Sequence, residues 1–246
     1  MFEALTAFLW GSVAGAALLL GAGLAWFLRI PRSIICAVMA FGSGVLISAL
    51  SFELVLEAAD TGGLLATAGG VAAGSLLYFA ANRLVGARPK RKAAASGSGA
   101  QNNSGIAIAI GALIDGIPES VALGVGLVAG GGINPTMVAA IFISNVPEGL
   151  ASTADLKAGG RSAGSVFGLW AGTVVASGLA AALGYLLLAG AAPEVLAFAT
   201  AVAAGGILTM LADTMIPEAY AGEGDLTGLL VVLGFLSAFA LHVIGG

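Results

Sequence analysis

Charge, histidine and cysteine are scarce in this sequence, and each shortage removes a class of protein. Charged residues make up only 9% of the 246, whereas a soluble domain carries about a quarter. So few charges cannot cover a surface that faces water. The only cysteine, Cys36, allows no intrachain disulfide and no thiolate cluster for a metal. It reads as a small apolar filler. The only histidine, His242, lies near the end of the last apolar run and reads as an interfacial residue rather than a ligand. A nucleotide fingerprint is missing too: Gly124-x-Gly126-x-x-Ala129 ends an apolar run and follows no strand. The basic stretch 88–92 reads as a topology signal, so no nucleic acid is expected as a partner.

Apolar residues fill the space that charge leaves. They make up 59% of the chain, and the mean hydropathy is +1.05. The apolar runs are long enough to cross a bilayer core, which takes roughly 20 residues each. Glycine is frequent, with 39 residues, as expected where helix backbones pack closely in lipid. Gly11-x-x-x-Gly15 and Gly70-x-x-x-Gly74 fit that pattern. Met1 to Glu3 carry no basic residue, which favours a retained first span over a cleaved signal peptide.

Reading apolar runs between breaks predicts an all-α polytopic membrane protein with eight transmembrane helices in one domain. The expected spans are 4–27, 33–58, 63–86, 105–128, 134–156, 164–189, 195–220 and 226–244. The stretch 87–104, basic and then small and polar, is expected to be a flexible loop.

All 9 Lys and Arg residues lie in or beside alternate connections. Arg29 and Arg32 follow the first span. Arg83, Arg88, Lys90, Arg91 and Lys92 follow the third, and Lys157 and Arg161 the fifth. Basic loops mark the cytoplasmic side. Both termini are therefore expected outside, with loop 87–104 in the cytoplasm, in what reads as a prokaryotic plasma (inner) membrane.

The second and seventh spans resemble each other. Residues 42–58 align without gaps to 203–219, matching Gly44, Leu50, Glu57 and Ala58 to Gly205, Leu211, Glu218 and Ala219. The two spans run in opposite directions, the inverted arrangement found in transporters. Residues 114–122 echo 143–151 in the fourth and fifth spans. The expected layout is three helices, two central ones, then three.

An acid at a membrane helix centre costs about 2.5–3.5 kcal/mol, and its default reading is functional. Asp115 and Glu119 share one face of the fourth span. Glu148 lies in the fifth, with Ser144 and Asn145 one turn before it. Pro118 and Pro147 each precede a central Glu, and each frees a backbone carbonyl one turn earlier. Three such carboxylates need protons or a cation to neutralise them. Carboxylate, amide and carbonyl oxygens are the ligands of hard divalent ions. Glu57, Asp60, Glu194, Glu218, Glu223 and Asp225 read as solvated helix ends, while Glu53 and Asp213 lie deeper.

At these residues the sequence resembles the ZIP (Zrt/Irt-like) family of divalent metal transporters. The resemblance runs along nearly the whole chain and is most specific at Asp115-Gly116-Ile117-Pro118-Glu119-Ser120 and Ser144-Asn145-Val146-Pro147-Glu148-Gly149. The family's histidines are absent, Gly116 stands where an Asn is usual, and the sixth span has no acid. The resemblance implies a diverged prokaryotic-type member that carries zinc, iron, manganese or a similar ion by alternating access. It implies Asp115, Glu119 and Glu148 as principal ligands, with Ser144 and Asn145 as weaker ones. The all-oxygen set shifts relative preference from zinc toward manganese, iron or magnesium.

Glu53, Glu57, Asp213 and Glu218 then become way-stations for an arriving or leaving ion. The expected partners are the metal ion and the bilayer, with a possible homodimer. No cofactor and no enzymatic activity are expected. The alternatives are a proton-linked carrier or channel for another solute, a non-transporting ZIP-like protein, or an intramembrane aspartyl protease using Asp115 with Asp213. No Gly-x-Gly-Asp signature supports the last.

Overall fold

The computed structural model of the chain describes residues 2–95, 100–128, 132 and 134–245. Among these residues every regular element is helical and there is no strand. The helices are α1 (Phe2–Phe27), α2 (Arg32–Ala49), α3 (Glu57–Ala95), α4 (Ala100–Val128), α5 (Pro135–Ala158), α6 (Ala163–Leu188), α7 (Pro193–Met210), α8 (Ile216–Glu223) and α9 (Thr227–Gly245). Six helical stretches among the described residues are long and apolar enough to cross a membrane. One of them, Arg32–Leu84, is 53 residues long, well over the roughly 20 that one crossing needs. It breaks at Gly63, whose φ of 75° is left-handed backbone that favours glycine.

Outward-facing leucines are the rule on this bundle. Leu65, Leu77, Leu187, Leu229 and Leu233 are all exposed. Small residues fill much of the inside: Ala7, Ala17, Ala40, Ala181, Ala201 and Ala204 are fully buried. Such packing suits a lipid solvent, where close helix approach matters more than an apolar core. Trp170 is the largest of the fully buried side chains, and its indole donates to Thr153 Oγ1 at 2.8 Å.

The helices sort into two groups by their contacts. In the first, α1 packs on α5 and α6, and α4 packs on α6. In the second, α3 packs on α7, and α2 packs on α8 and α9. Between the groups, α2 meets α5, and α4 meets α3 and α7. Both expected Gly-x-x-x-Gly pairs lie at interfaces within a group. Gly11 and Gly15 face α6 near Ser177, and Gly70 and Gly74 face α7 near Ala201 and Val202.

Two features went unread in the sequence. The backbone widens into π-helix over Leu50–Leu56 and again over Leu211–Met215. At the second, Pro217 cannot donate to the carbonyl one turn back, so the ladder must adjust. Pro217 then opens α8. The first has no proline; there the hydroxyl of Ser51 donates to Ile47 O at 2.7 Å. The other difference concerns residues 87–104, expected as a loop. α3 continues to Ala95 and α4 begins at Ala100, so both ends of the stretch are helical. Lys, Arg and Ala are good helix formers and extend the apolar helix that precedes them. Residues 96–99 lie outside those described.

Candidate functional site

Two proline-containing helices position the central acids. Pro118 lies inside α4 and Pro147 inside α5. Each ring rests against a glycine of the opposite group. A Cβ on Gly206 of α7 would sit 3.2 Å from Pro118, and one on Gly42 of α2 would sit 3.6 Å from Pro147. Both proline rings therefore face the seam between the groups. The residue after each proline is a glutamate.

Glu119 is 2% exposed, and its Oε2 has no hydrogen-bond partner among the described residues. A buried, unpaired carboxylate oxygen is costly to leave unsatisfied. Asp115 accepts from the hydroxyl of Tyr78 on α3 at 2.6 Å. Tyr78, 5% exposed, also touches Thr214 Oγ1 at 3.4 Å, on the second π-helical turn. Glu148 lies within electrostatic reach of Asp115, Glu119 and Glu218.

Three of the expected ligands thus share one electrostatic neighbourhood. Ser144 and Asn145 lie beside it on α5 and are buried, but their donors are used elsewhere. Ser144 Oγ donates to Ile141 O at 2.9 Å, and Asn145 Nδ2 to Ala14 O at 3.1 Å. Among the described residues, no three His, Cys, Asp or Glu side chains close on a common point as a metal cluster.

The expected way-stations divide. Glu218 lines a cleft of about 120 Å³ with Arg32, Cys36, Met39 and Asp155. Glu218 lies in the fields of Asp155, Arg32 and Glu148, so acids continue from the cleft to the centre. Asp213 is exposed on its π-helical turn. The sequence repeat places Asp213 one position from Glu53, yet Glu53 is nearly buried, with a side chain only 10% exposed. Glu53 contacts His242 Nδ1 at 2.6 Å and accepts from Asn134 Nδ2. Glu57, exposed, lies in the field of Glu53.

Tyr78, Thr214, Asn134 and His242 were not among the residues singled out as site candidates. Tyr78 and Thr214 carry no local motif, and only the fold brings them to Asp115. The histidine's role required knowing that the end of α9 meets the π-helical turn at Glu53. Compared with protein-family models and with curated proteins, the chain matches none.

Proposed function

We propose that this protein carries a divalent metal cation across a membrane by alternating access, as a ZIP-like transporter. The observation that carries the reading is Glu119 Oε2, buried and unpartnered on a proline-containing helix inside an apolar bundle, with Asp115 on the same helix and Glu148 on a second proline-containing helix in its field. Buried acids of one sign call for a counter-charge. A divalent ion supplies it with few ligands. The cleft at Glu218 gives a solvated approach from one end.

On this reading the chain crosses the membrane eight times. The break at Gly63 divides one long helix into two crossings, and α4 adds another. The repeat has support in packing. A Cβ on Gly44 would strike the carbonyl of Val231, and one on Gly234 that of Phe41. In the matching pair, Gly205 meets Val71 and Gly74 meets Val202. The two π-helical turns start at Leu50 and Leu211, which the sequence alignment also pairs. Alternating access then amounts to one helix group moving against the other across the seam that holds the acids. Basic loops orient it with both termini outside.

A proton-linked carrier for another solute is the second reading. The absence of a closed three-ligand cluster among the described residues favours it. Uptake into vesicles separates the two. The metal reading expects saturable uptake of manganese or zinc that Glu119→Gln and Glu148→Gln abolish. Metal-independent proton flux through the same variants would overturn it.

A further inference from the structure

We propose that Glu53 and His242 form a second divalent-cation site, distinct from the central acids, and that without metal the bond from Asn134 to Glu53 latches the two helix groups together. This deepens the way-station reading of Glu53, and its test separates from that of the central site.

Three elements meet at one carboxylate. Glu53 stands on the π-helical turn after α2, His242 near the end of α9, and Asn134 is the N-cap of α5. One oxygen of Glu53 faces His242 Nδ1 at 2.6 Å, and the other accepts from the amide of Asn134. The same Asn134 caps α5 through Oδ1, which accepts from Met137 N at 3.1 Å. The start of α5, in one group, is therefore tied to α2 and α9 in the other. The imidazole is held by stacking on Phe52, with ring centres 5.2 Å apart.

A nitrogen and a nine-tenths-buried carboxylate at this distance are a nascent site for a borderline metal ion. Such ions bind imidazole nitrogen and carboxylate oxygen at about 2.0–2.2 Å. Entry of the cation between them draws both carboxylate oxygens toward the ion. The amide of Asn134 is then displaced, because its N–H dipole points its positive end at the same place. Glu57 adds negative potential that concentrates cations at this end. Occupancy would release α5 from the latch, and so couple arrival of an ion to freedom of the helix that bears Glu148.

Zinc chloride is the probe, and the full chain in detergent carrying Glu119→Gln with Glu148→Gln is the background. Titration calorimetry should find one remaining site. Adding His242→Gln should weaken it by about 10- to 100-fold. Zinc should also speed amide hydrogen exchange at Met137 and Val138, in the first turn of α5. Asn134→Ala should speed that exchange without zinc. Melting temperatures without metal check that each variant folds, and Glu53→Gln is the second variant should His242→Gln not fold. Binding that survives both substitutions, or exchange that zinc leaves unchanged, overturns the proposal. If the background binds as much zinc as the parent, the central-site reading fails instead, and His242→Gln still decides the latch.

Discussion

Replacing Glu119 by Gln should stabilise the metal-free protein and remove most of its response to metal. The two effects have opposite signs, which makes the test severe. Glu119 is 2% exposed, and one of its oxygens has no partner. It shares its surroundings with Asp115 and Glu148. An amide of the same shape carries no net charge, so the metal-free variant gains on the order of 1 kcal/mol. A ligand at 100 times its Kd stabilises the parent by about 2.7 kcal/mol. In a chain of this size that is roughly 5–11 °C of Tm. Loss of one of three charged ligands, taken as about a 100-fold weakening, brings the same concentration down to the Kd. The gain then falls to about 0.4 kcal/mol, near 1 °C. Scanning fluorimetry in detergent, with manganese titrated into parent and variant, reads both effects. A variant that keeps the full shift refutes Glu119 as a ligand. A lower Tm without metal refutes the idea that its charge is an uncompensated cost.

Asp115→His should move preference toward Zn²⁺ over Mn²⁺, since imidazole suits zinc better than a carboxylate does; competition binding with the two metals reads it, and an unchanged ratio places Asp115 outside the coordination sphere. Tyr78→Phe removes the donor to Asp115 and should weaken metal binding by about tenfold, at a stability cost of about 0.5–1.5 kcal/mol; binding equal to the parent's would show that the tyrosine does not orient Asp115. Asp213→Cys in a Cys36→Ser background should react with a membrane-impermeant thiol reagent from the basic-loop side only. Labelling from the other side alone would overturn the proposed orientation.

The membrane class was legible in composition because it is a bulk property. Charge at 9% and long apolar runs admit few other folds. The central acids were legible for a related reason: Asp115, Glu119 and Glu148 interrupt apolar helices where any acid is costly. Tyr78 and Thr214 were not, because a hydroxyl on a membrane helix costs little and occurs everywhere. Nor was the state of Glu53. In sequence it reads as one more acid near a span end. Its burial depends on His242, 189 positions away, and on Asn134, 81 positions away. The π-helical turns were hidden because helical periodicity barely changes across one widened turn.

The central helices show where likeness in sequence and likeness in packing part. The sequence echo pairs Pro118-Glu119 with Pro147-Glu148. Packing pairs different residues. Gly124 is pressed against the carbonyl of Ala181, and Gly184 approaches Val121. The counterpart contacts join Gly149 to Leu18, and Gly21 to Val146. By packing, Val121 answers to Val146 and Gly124 to Gly149, a register about one helical turn away from the echo. In that register the counterpart of Glu119 is Ser144, and that of Glu148 is Leu123. The two glutamates therefore do not occupy equivalent places in the fold. Glu119 is shut in, with an unpartnered oxygen, while Glu148 lies in the field of Glu218 at the cleft. On the proposed transport reading, an ion entering that cleft comes first under the field of Glu218, which extends to Glu148. A symmetric site would hold the ion equally against both sides. On the proposed transport reading, two acids one turn out of register give the ion two unequal partners in place of a symmetric pair.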